Sequence, residues 1–508
     1  MAWKEYLEER IDAAPALAKE QTQNREGEKL IERPIVLRLM SFAGAFINGV
    51  GESRFVVMYG LRGIGKSTAV FQIYNRLRNG NFFNKVEESK KIPKENILYL
   101  SMEQSYLQSQ FSDSKSPIYD AVNNFCREIH GQRLESLNKK IFVFIDEAQF
   151  DKRWTYAAKT IFDSTKNVFM LITGSSALSL NLDTDTARRA IKEPLFPLNF
   201  MEYQTIKNRI FPIKGTSQDL KSLILSGGQN SISNLNSTAK KIKTEMQSKE
   251  LNLDFELQNY LNIGGLPLGF NNTKEIMYRK LVDVVTRIVT EDLPNIANYE
   301  VSSNQHIMRI VGALATKQSG ELGINKLANS LNLSPTKVSE ILDWLQKAHL
   351  ILSVKPYPVT RNPASPSKVF KYYFMSPTLL SSILHLNGIT TLKNQEKAML
   401  WESATAASLF KLCHTSGSVY NLFYDPRKET NVDFLLQNPL SGVTIPIECG
   451  LTKDNSQILS AIKEYESPHG IVITESDGVE KETISTESDG EIKENNILRL
   501  PFWLSLYI

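Results

Sequence analysis

The sequence has few cysteines, no long apolar run and little excess charge. Its three cysteines lie far apart in 508 residues and form no CxxC pair, which argues against a disulfide framework and against a zinc site. The most apolar long stretch, residues 35–50, contains Arg38 and is too short to span a bilayer. The N-terminus is charged and lacks the apolar core of a signal peptide. These absences predict a soluble, cytoplasmic protein with no membrane partner.

The net charge is small, because 59 Lys and Arg residues face 55 Asp and Glu residues, a formal excess of +4. Such a balance does not by itself imply a nucleic-acid partner, so any basic surface must be local. A chain of 508 residues is too long for a single hydrophobic core. The length therefore predicts several domains.

A glycine-rich segment follows an apolar run that is typical of a buried strand. Residues 55–59 precede it and a helical pattern begins at its end, which is the strand–turn–helix context of a phosphate-binding loop. Such a loop directs backbone N–H groups and the positive end of a helix dipole at a phosphate. The predicted nucleotide-binding residues are Gly60, Leu61, Arg62, Gly63, Ile64, Gly65, Lys66, Ser67 and Thr68.

Two carboxylates, Asp146 and Glu147, follow a second apolar run at residues 141–145. A strand that is buried on both faces and ends in this way is typical of a Walker B element. We expect Lys66 to bind the β- and γ-phosphates of ATP, and Ser67 and Asp146 to bind Mg²⁺. Glu147 is the predicted base for the attacking water. The alternative for the two carboxylates is a solvated acidic turn.

Hydroxyl groups follow a third apolar run, residues 168–172, in the segment Thr173–Ser176. We expect Ser175 to contact the γ-phosphate or the attacking water, although such hydroxyls are also ordinary turn residues. Arg188 and Arg189 come next in the chain. An arginine such as Arg189 can stabilise charge on a transferring phosphoryl group, in cis or from a neighbouring subunit of a homo-oligomer. A solvated arginine pair is an equally good interpretation.

Three helical patterns between residues 306 and 349 predict a second module. Ser334 is a predicted N-cap and Pro335 a predicted first helical residue, which favours a helix-turn-helix followed by the strands of a wing. Residues 317–371 contain eight Lys or Arg and three Asp or Glu. This local excess favours contact with double-stranded DNA, whereas a packing role is an equally good interpretation.

The last module, from about residue 394, combines helices with short strand patterns. Asp433 and Glu448 lie in or at the end of neighbouring strand patterns and could share a divalent metal. A nuclease would also need a lysine two residues after this glutamate, but that position is Gly450. Residues 474–494 contain eight acidic residues and two lysines, which predicts an exposed, flexible loop.

These motifs resemble those of the archaeal-type P-loop ATPases of the STAND/MNS group, which are related to AAA+ proteins. The resemblance covers residues 30–508 apart from an insertion at about 212–252. In such ATPases a Gly-x-Pro turn lies near the nucleotide, so the resemblance implies that Pro267 contributes to the site. The elements that carry the resemblance are Tyr59–Ser67, Asp146–Gln149, Thr173–Ser176, Arg189 before Leu195–Phe200, and Gly265–Pro267.

The resemblance implies an α/β fold with an AAA+-like P-loop ATPase core built on a parallel sheet. A helical and winged-helix domain and an α/β restriction-nuclease-like domain are expected to follow this core. The predicted domains are a helical extension at 1–29, the ATPase core at 30–205, a helical lid region with an insertion at 206–303, the winged helix-turn-helix at 304–375 and the nuclease-like domain at 376–508.

Two motifs depart from the family pattern, because Glu-Val-Asp and Glu-Val-Lys of the family are Asn431–Asp433 and Glu448–Gly450 here. The missing lysine predicts that the last domain does not cleave DNA. The leading hypothesis is a switch protein that hydrolyses ATP slowly and acts on a protein partner or on DNA. The alternatives are a DNA-binding or scaffold protein that binds ATP without turnover and, third, an ATP-gated nuclease.

Overall fold

The protein, seen in a computed structural model, divides into two compact units. The first comprises Met1–Leu195 and Asp292–Ala297, and the second comprises Phe196–Glu291 and Asn298–Ile508. No helix of the described residues is both long and apolar enough to cross a bilayer. The structure describes residues 3–82, 85–86, 90–103, 116–175, 184–268, 270, 272–296, 303–316, 323–358, 369–415, 419–427, 430–451, 453–488 and 491–508.

The first unit is built on a five-stranded sheet in the order β4-β5-β6-β1-β7. All of its strand pairs are parallel, so the carboxyl ends of the strands meet at one edge. Every residue of β5 and β6 is buried, as expected for strands covered by helices on both faces. The strands of this unit are β1 (Phe55–Tyr59), β2 (Asn81–Phe82), β3 (Lys85–Val86), β4 (Ile97–Ser101), β5 (Ile141–Asp146), β6 (Val168–Gly174) and β7 (Ile191–Pro194).

Helices cover this sheet, and the N-terminal helix belongs to the same core. Its side chains Tyr6, Leu7 and Ile11 are buried in one cluster with Leu98 and Leu100 of β4, so the predicted extension is an integral part of the first unit. The α-helices are Trp3–Thr22, Pro34–Asn48, Lys66–Arg78, Pro117–Asn124, Trp154–Ser164, Thr184–Arg189 and Leu293–Ile296, with a π-helix at Phe125–Ile129 and 3₁₀ turns at Lys94–Asn96, Leu134–Ser136 and Ala148–Phe150.

The second unit contains an eight-stranded mixed sheet in the order β14-β15-β13-β12-β11-β10-β8-β9. The pairs β8–β10, β12–β13 and β13–β15 are parallel, and the other pairs are antiparallel. The helix Ser456–Glu464 covers the sheet with Ile458 and Ile462, which are buried beside Leu435 and Val472. The strands are β8 (Ile351–Pro356), β9 (Lys371–Phe374), β10 (Asn421–Tyr424), β11 (Phe434–Gln437), β12 (Thr444–Cys449), β13 (Gly470–Thr474), β14 (Glu480–Ser488) and β15 (Glu491–Pro501).

The helices of the second unit include those predicted for the helix-turn-helix. Ser334 caps the third of them, because its side chain accepts a hydrogen bond from the backbone N–H of Lys337. The α-helices are Phe200–Asn208, Thr216–Ser226, Gln229–Ser248, Leu253–Asn259, Lys274–Arg287, Ser303–Thr316, Ile324–Leu331, Pro335–Lys347, Pro377–Leu386, Asn394–His414, Ser456–Glu464 and Phe502–Ser505, with π-helices at Tyr260–Gly264 and Ile288–Asp292.

Two features of the second unit differ from the sequence prediction. The predicted flexible loop at 474–494 is wrong for most of its length, because β14 and β15 pair in an antiparallel hairpin from Glu480–Arg499 to Ser488–Glu491. The predicted wing strands are β8 and β9, but β8 also pairs with β10. The predicted boundary between residues 375 and 376 therefore divides the strands of one continuous sheet.

Candidate functional site

The phosphate loop lies between the end of β1 and the helix that begins at Lys66. Gly63 and Gly65 have positive φ angles of 79° and 93°, which residues with a Cβ rarely adopt. Gly60 is required for a different reason, since a Cβ there would overlap the carbonyl oxygen of Leu195 and the side chain of Ile64. Glycine at these three positions therefore allows the loop to take its curled form.

A buried arginine upstream of β1 supports the same loop. The Arg33 Nη1 atom donates a hydrogen bond to the carbonyl oxygen of Ile64 at 2.9 Å, and Arg33 is buried. The sequence alone does not point to Arg33, because no local motif links it to a loop residue that is 31 positions away.

Lys66 lies at the centre of the loop with only 4% of its side chain exposed. Its Nζ atom donates hydrogen bonds to the carbonyl oxygens of Gly60 and Leu61, at 3.2 and 3.1 Å. The same atom lies 3.5 Å from Glu147 Oε1. The structure therefore brings the predicted phosphate-binding lysine and the predicted base into one ion pair.

Asp146 accepts hydrogen bonds from three hydroxyl groups. Ser67 Oγ and Tyr99 Oη lie 2.6 and 3.1 Å from Asp146 Oδ2, and Thr173 Oγ1 donates to Oδ1. Burial and the charge of Glu147 raise the pKa of Asp146, while the Ser67 and Thr173 hydrogen bonds act in the opposite direction. Tyr99 was not predicted; it lies in β4, which pairs with β5, and alternation along β4 could have pointed to it.

Glu147 follows β5 in the left-handed conformation, with φ 54°. Its Oε2 atom accepts a hydrogen bond from Gln149 Nε2 at 2.5 Å. Burial alone would raise the pKa of Glu147, but the charge of Lys66, the Gln149 hydrogen bond and the charge of Arg62 bring this pKa below its ordinary value. The carboxylate is consequently charged and fixed in direction by two neighbours.

Ser175 is the residue directly after β6. It lies beside the phosphate loop, because the preceding residue, Gly174, accepts a hydrogen bond from the backbone N–H of Gly60 at 3.4 Å. Ser175 is 5% exposed, and within the described part of the chain its Oγ has no hydrogen-bond partner. A buried hydroxyl without a hydrogen-bond partner lowers stability unless a ligand or a water molecule forms a hydrogen bond with it. This observation, together with the hard oxygen donors of Ser67 and Asp146, fits a triphosphate with Mg²⁺.

Arg62 of the loop is held by two carboxylates rather than pointing freely into solvent. Its Nη2 atom lies 3.2 Å from Asp292 Oδ1 and its Nη1 atom 3.3 Å from Glu103 Oε1. Asp292 was not predicted as a site residue, because it lies 230 positions from Arg62 in the chain.

The structure does not bring Arg189 to the phosphate loop. Its Nε and Nη2 atoms bind the carboxylate of Asp163, at 2.8 and 3.1 Å. Asp163 precedes β6 and Arg189 precedes β7, so this ion pair lies at the amino edge of the sheet, opposite the loop. Arg189 therefore does not face the loop in this structure, and its action on a nucleotide, in cis or on a neighbouring subunit, stays a prediction.

Pro267 lies in the second unit, so its predicted contact with the nucleotide stays a prediction. Within that unit, the turn before it is tightly packed. The backbone N–H of Gly265 donates to Thr378 Oγ1 at 2.8 Å, and a Cβ at Gly265 would overlap Ser376 Oγ. Close approach of the Ser376 and Thr378 side chains to the backbone of Gly265 explains the glycine of this motif.

A second cluster of charged residues lies at the ends of β11 and β12. Lys453 Nζ contacts Glu448 Oε2 and lies 3.4 Å from Asp433 Oδ2. A Cβ at Gly450 would come within 2.7 Å of Lys453 Cε, so the glycine leaves room for this lysine. The lysine position of the family pattern is Gly450, as the sequence analysis states, but Lys453, three residues further along the chain, contacts both acids.

The carboxylates of this cluster influence each other. Glu448 is 1% exposed, and burial together with the charge of Asp433 raises its pKa to about 7, against the opposing charge of Lys453. Burial alone would lower the pKa of Lys453, but Asp433 and Glu448 raise it. Lys453 is thus a charged amine held between two acids.

Comparison with known proteins gives matches along most of the chain. Residues 52–204 match a family described as an AAA domain, and residues 254–390 match a domain of unknown function, DUF8612. "Uncharacterized protein MJ1637" of Methanocaldococcus jannaschii is 28% identical over 423 residues, 83% of this chain and 81% of that protein. "Uncharacterized protein MJ1544" of the same organism is 23% identical over 492 residues, 94% of this chain and 90% of that protein.

Solved structures show only a remote likeness. The ORC1 protein of Aeropyrum pernix in complex with DNA covers 70% of this chain and 93% of its own, with 11% identity and a TM-score of 0.28. AMPPCP-bound DnaA from Aquifex aeolicus covers 63% of this chain and 90% of its own, with 14% identity and a TM-score of 0.25. At these scores the likeness carries no conclusion about ligands. The AAA-domain match and the parallel sheet with its phosphate loop identify the first unit as an α/β P-loop core of the AAA+ type.

Proposed function

We propose that the protein binds ATP with Mg²⁺ and hydrolyses it slowly, as a switch whose nucleotide state acts on the modules of the second unit. One observation carries this proposal: Lys66, Ser67, Asp146 and Glu147 are joined by direct contacts at the carboxyl edge of the parallel sheet. This is the set of groups that phosphate binding, metal binding and water activation require.

Each residue has a distinct role in the proposed reaction. Lys66 and the backbone N–H groups of the loop bind the phosphates, and Ser67 and Asp146 hold Mg²⁺, which neutralises charge on the phosphate oxygens when bound. Glu147 orients the attacking water and accepts its proton, with Gln149 fixing the direction of the carboxylate. Ser175 supplies a further hydroxyl toward the phosphate or the water.

ATP turnover of two variants tests the proposal. Lys66→Ala and Glu147→Gln should each lower turnover by about 10²-fold or more, because each removes a group that acts on the transferred phosphoryl group or on water. Lys166→Ala and Glu135→Gln are matched controls, since both residues are exposed and lie outside the contacts of the loop. Unchanged turnover in Lys66→Ala and Glu147→Gln would contradict the site. ATP binding without turnover in the parent protein would favour the scaffold alternative.

A second candidate function is metal-dependent cleavage of a phosphodiester by the second unit. The observation that favours it is the contact of Lys453 with both Asp433 and Glu448. A lysine beside two acids could stabilise the charge that develops on a phosphate oxygen. Within the described ranges no three acidic, histidine or cysteine side chains converge as metal ligands, so an ion here would rest on these two acids and on water or phosphate oxygens.

Cleavage of duplex DNA in Mn²⁺ tests this second candidate. Cleavage should disappear in Asp433→Asn and in Lys453→Gln, and persist in Lys463→Gln, which removes an exposed lysine nearby in sequence. Absence of cleavage by the parent protein, with and without ATP, would contradict the candidate and would support the inactivity predicted from the sequence.

A further inference from the structure

The cations of the phosphate loop are outnumbered by acids in this structure. Arg62 and Lys66 face Asp146, Glu147 and Asp292, with the exposed Glu103 at the margin. Of the two acids that bind Arg62, Asp292 is the buried one, with 4% of its side chain exposed against 51% for Glu103. The ion pair with Asp292 is therefore the one that solvent screens least.

The charges of Arg62 and Lys66 act on the pKa of Asp292 as well as on that of Glu147. Burial raises the pKa of Asp292 most, the charges of Arg62 and Lys66 lower it, and the charge of Glu147 raises it. Arg62 in turn lowers the pKa of Glu147. Arg62, Lys66, Glu147 and Asp292 thus form one electrostatically coupled group at the predicted phosphate position.

The position of Asp292 in the chain gives this contact a wider consequence. The preceding helix Lys274–Arg287 and the residues up to Glu291 belong to the second unit, whereas Asp292–Ala297 belong to the first. Asp292 is accordingly the residue at which the chain re-enters the nucleotide-binding unit. Any event that releases its carboxylate acts on the segment that leads directly to the second unit.

We propose that Asp292 competes with the nucleotide phosphates for Arg62, so that a bound triphosphate breaks the Arg62–Asp292 ion pair and loosens the segment Asp292–Ile296. This inference rests on the proposed function and names its regulation. The segment loosens because the buried carboxylate of Asp292, once it has lost Arg62, is an unpaired charge that costs stability, and because nearby phosphates repel it. Asp292 must then move towards water or take up a proton.

Nucleotide affinity tests the competition. We expect Asp292→Asn to bind Mg²⁺ with a non-hydrolysable ATP analogue about tenfold more tightly than the parent protein, because the competing charge is gone while the side-chain size is kept. Glu103→Gln is the matched control and should change affinity less than about twofold, because its carboxylate is exposed. In an Arg62→Gln background, Asp292→Asn should bring no gain, since both changes act through the same ion pair.

Hydrogen exchange of residues 293–296 gives a second readout that needs no variant. Exchange there should speed up in the parent protein when the analogue binds, and should already be fast in Asp292→Asn without it. If the parent protein binds the analogue but neither affinity in Asp292→Asn nor exchange changes, the competition is wrong and the proposed function stands. If the parent protein binds no nucleotide, the proposed function and this inference both fail.

Discussion

At the scale of single residues, the ion pair between Lys66 and Glu147 links nucleotide binding to base strength. Without phosphates, Lys66 holds the pKa of Glu147 low, and a carboxylate with a low pKa is a weak base. On the function proposed above, phosphates draw the amine of Lys66 away from Glu147. Loss of this charge shifts the pKa of Glu147 upwards, against the Gln149 hydrogen bond and the charge of Arg62 that still lower it, so the base strengthens when its substrate is present.

The partly buried imidazole of His349 provides a pH-dependent test of the second unit. Burial and the charge of His414 lower the pKa of His349 to about 4 from 6.5. Between these values the unfolded chain binds a proton that the folded chain does not, so this group lowers stability as pH falls from 6.5 towards 4. The free energy of unfolding of His349→Asn should therefore fall by about 2 kcal/mol less than that of the parent protein between pH 7 and pH 5. Asparagine tolerates the φ of 57° at this position.

Urea unfolding of the parent protein and of His349→Asn at both pH values measures this effect. The difference in unfolding free energy between the two proteins should change with pH in the stated direction. The same pH dependence in both proteins would show that His349 takes up its proton equally in the folded and unfolded chains.

The residues that sequence reasoning missed share one property: the fold alone brings them to their partners. Lys66, Ser67 and the carboxylates of β5 were predictable, because each stands beside a strand end with a recognisable local pattern. Tyr99 and Asp292 reach the site from other elements, with partners 47 and 230 positions away in the chain. Lys453 passes close to the backbone of Gly450 and reaches Asp433, which lies 20 positions away in the chain.

At the scale of elements, local patterns predicted the strand–loop–helix and the capped helix Pro335–Lys347, because neighbouring residues carry all the required information. The hairpin of β14 and β15 was missed for the opposite reason. Its acidic side chains suggested disorder, but charge count does not decide pairing when β15 is itself joined to β13. Pairing with an existing sheet gives the backbone of such a segment its hydrogen bonds.

The lysines of the predicted helix-turn-helix also show what the structure adds to a count of charges. Lys337 Nζ lies 4.9 Å from the centre of the Trp344 ring, and Lys347 Nζ lies 2.8 Å from Asp343 Oδ2. Such contacts of a lysine at an exposed surface contribute little stability. A DNA phosphate could therefore replace Trp344 beside Lys337, or Asp343 beside Lys347, at a small cost in stability. The local basic excess is therefore compatible with the DNA contact predicted from the sequence, which stays a prediction.

At the scale of the whole molecule, the phosphate loop belongs to only one of the two compact units. The chain passes between the units three times, after Leu195, after Glu291 and after Ala297. A ligand that binds the folded form of the first unit stabilises that unit directly. These three connections are covalent links along which a nucleotide bound in the first unit can act on the second.

Calorimetry of the full chain can therefore separate the two units. We expect two unfolding transitions. Only one should move to higher temperature with Mg²⁺ and a non-hydrolysable ATP analogue. At a ligand concentration of 100 times Kd, binding should raise the unfolding free energy of that unit by about 2.7 kcal/mol. Lys66→Ala should unfold in the same two transitions but lose this shift, because the proposed function assigns phosphate binding to this lysine, which lies in the first unit. A single transition that moves as a whole would contradict the division, since it would show that both units unfold as one cooperative block.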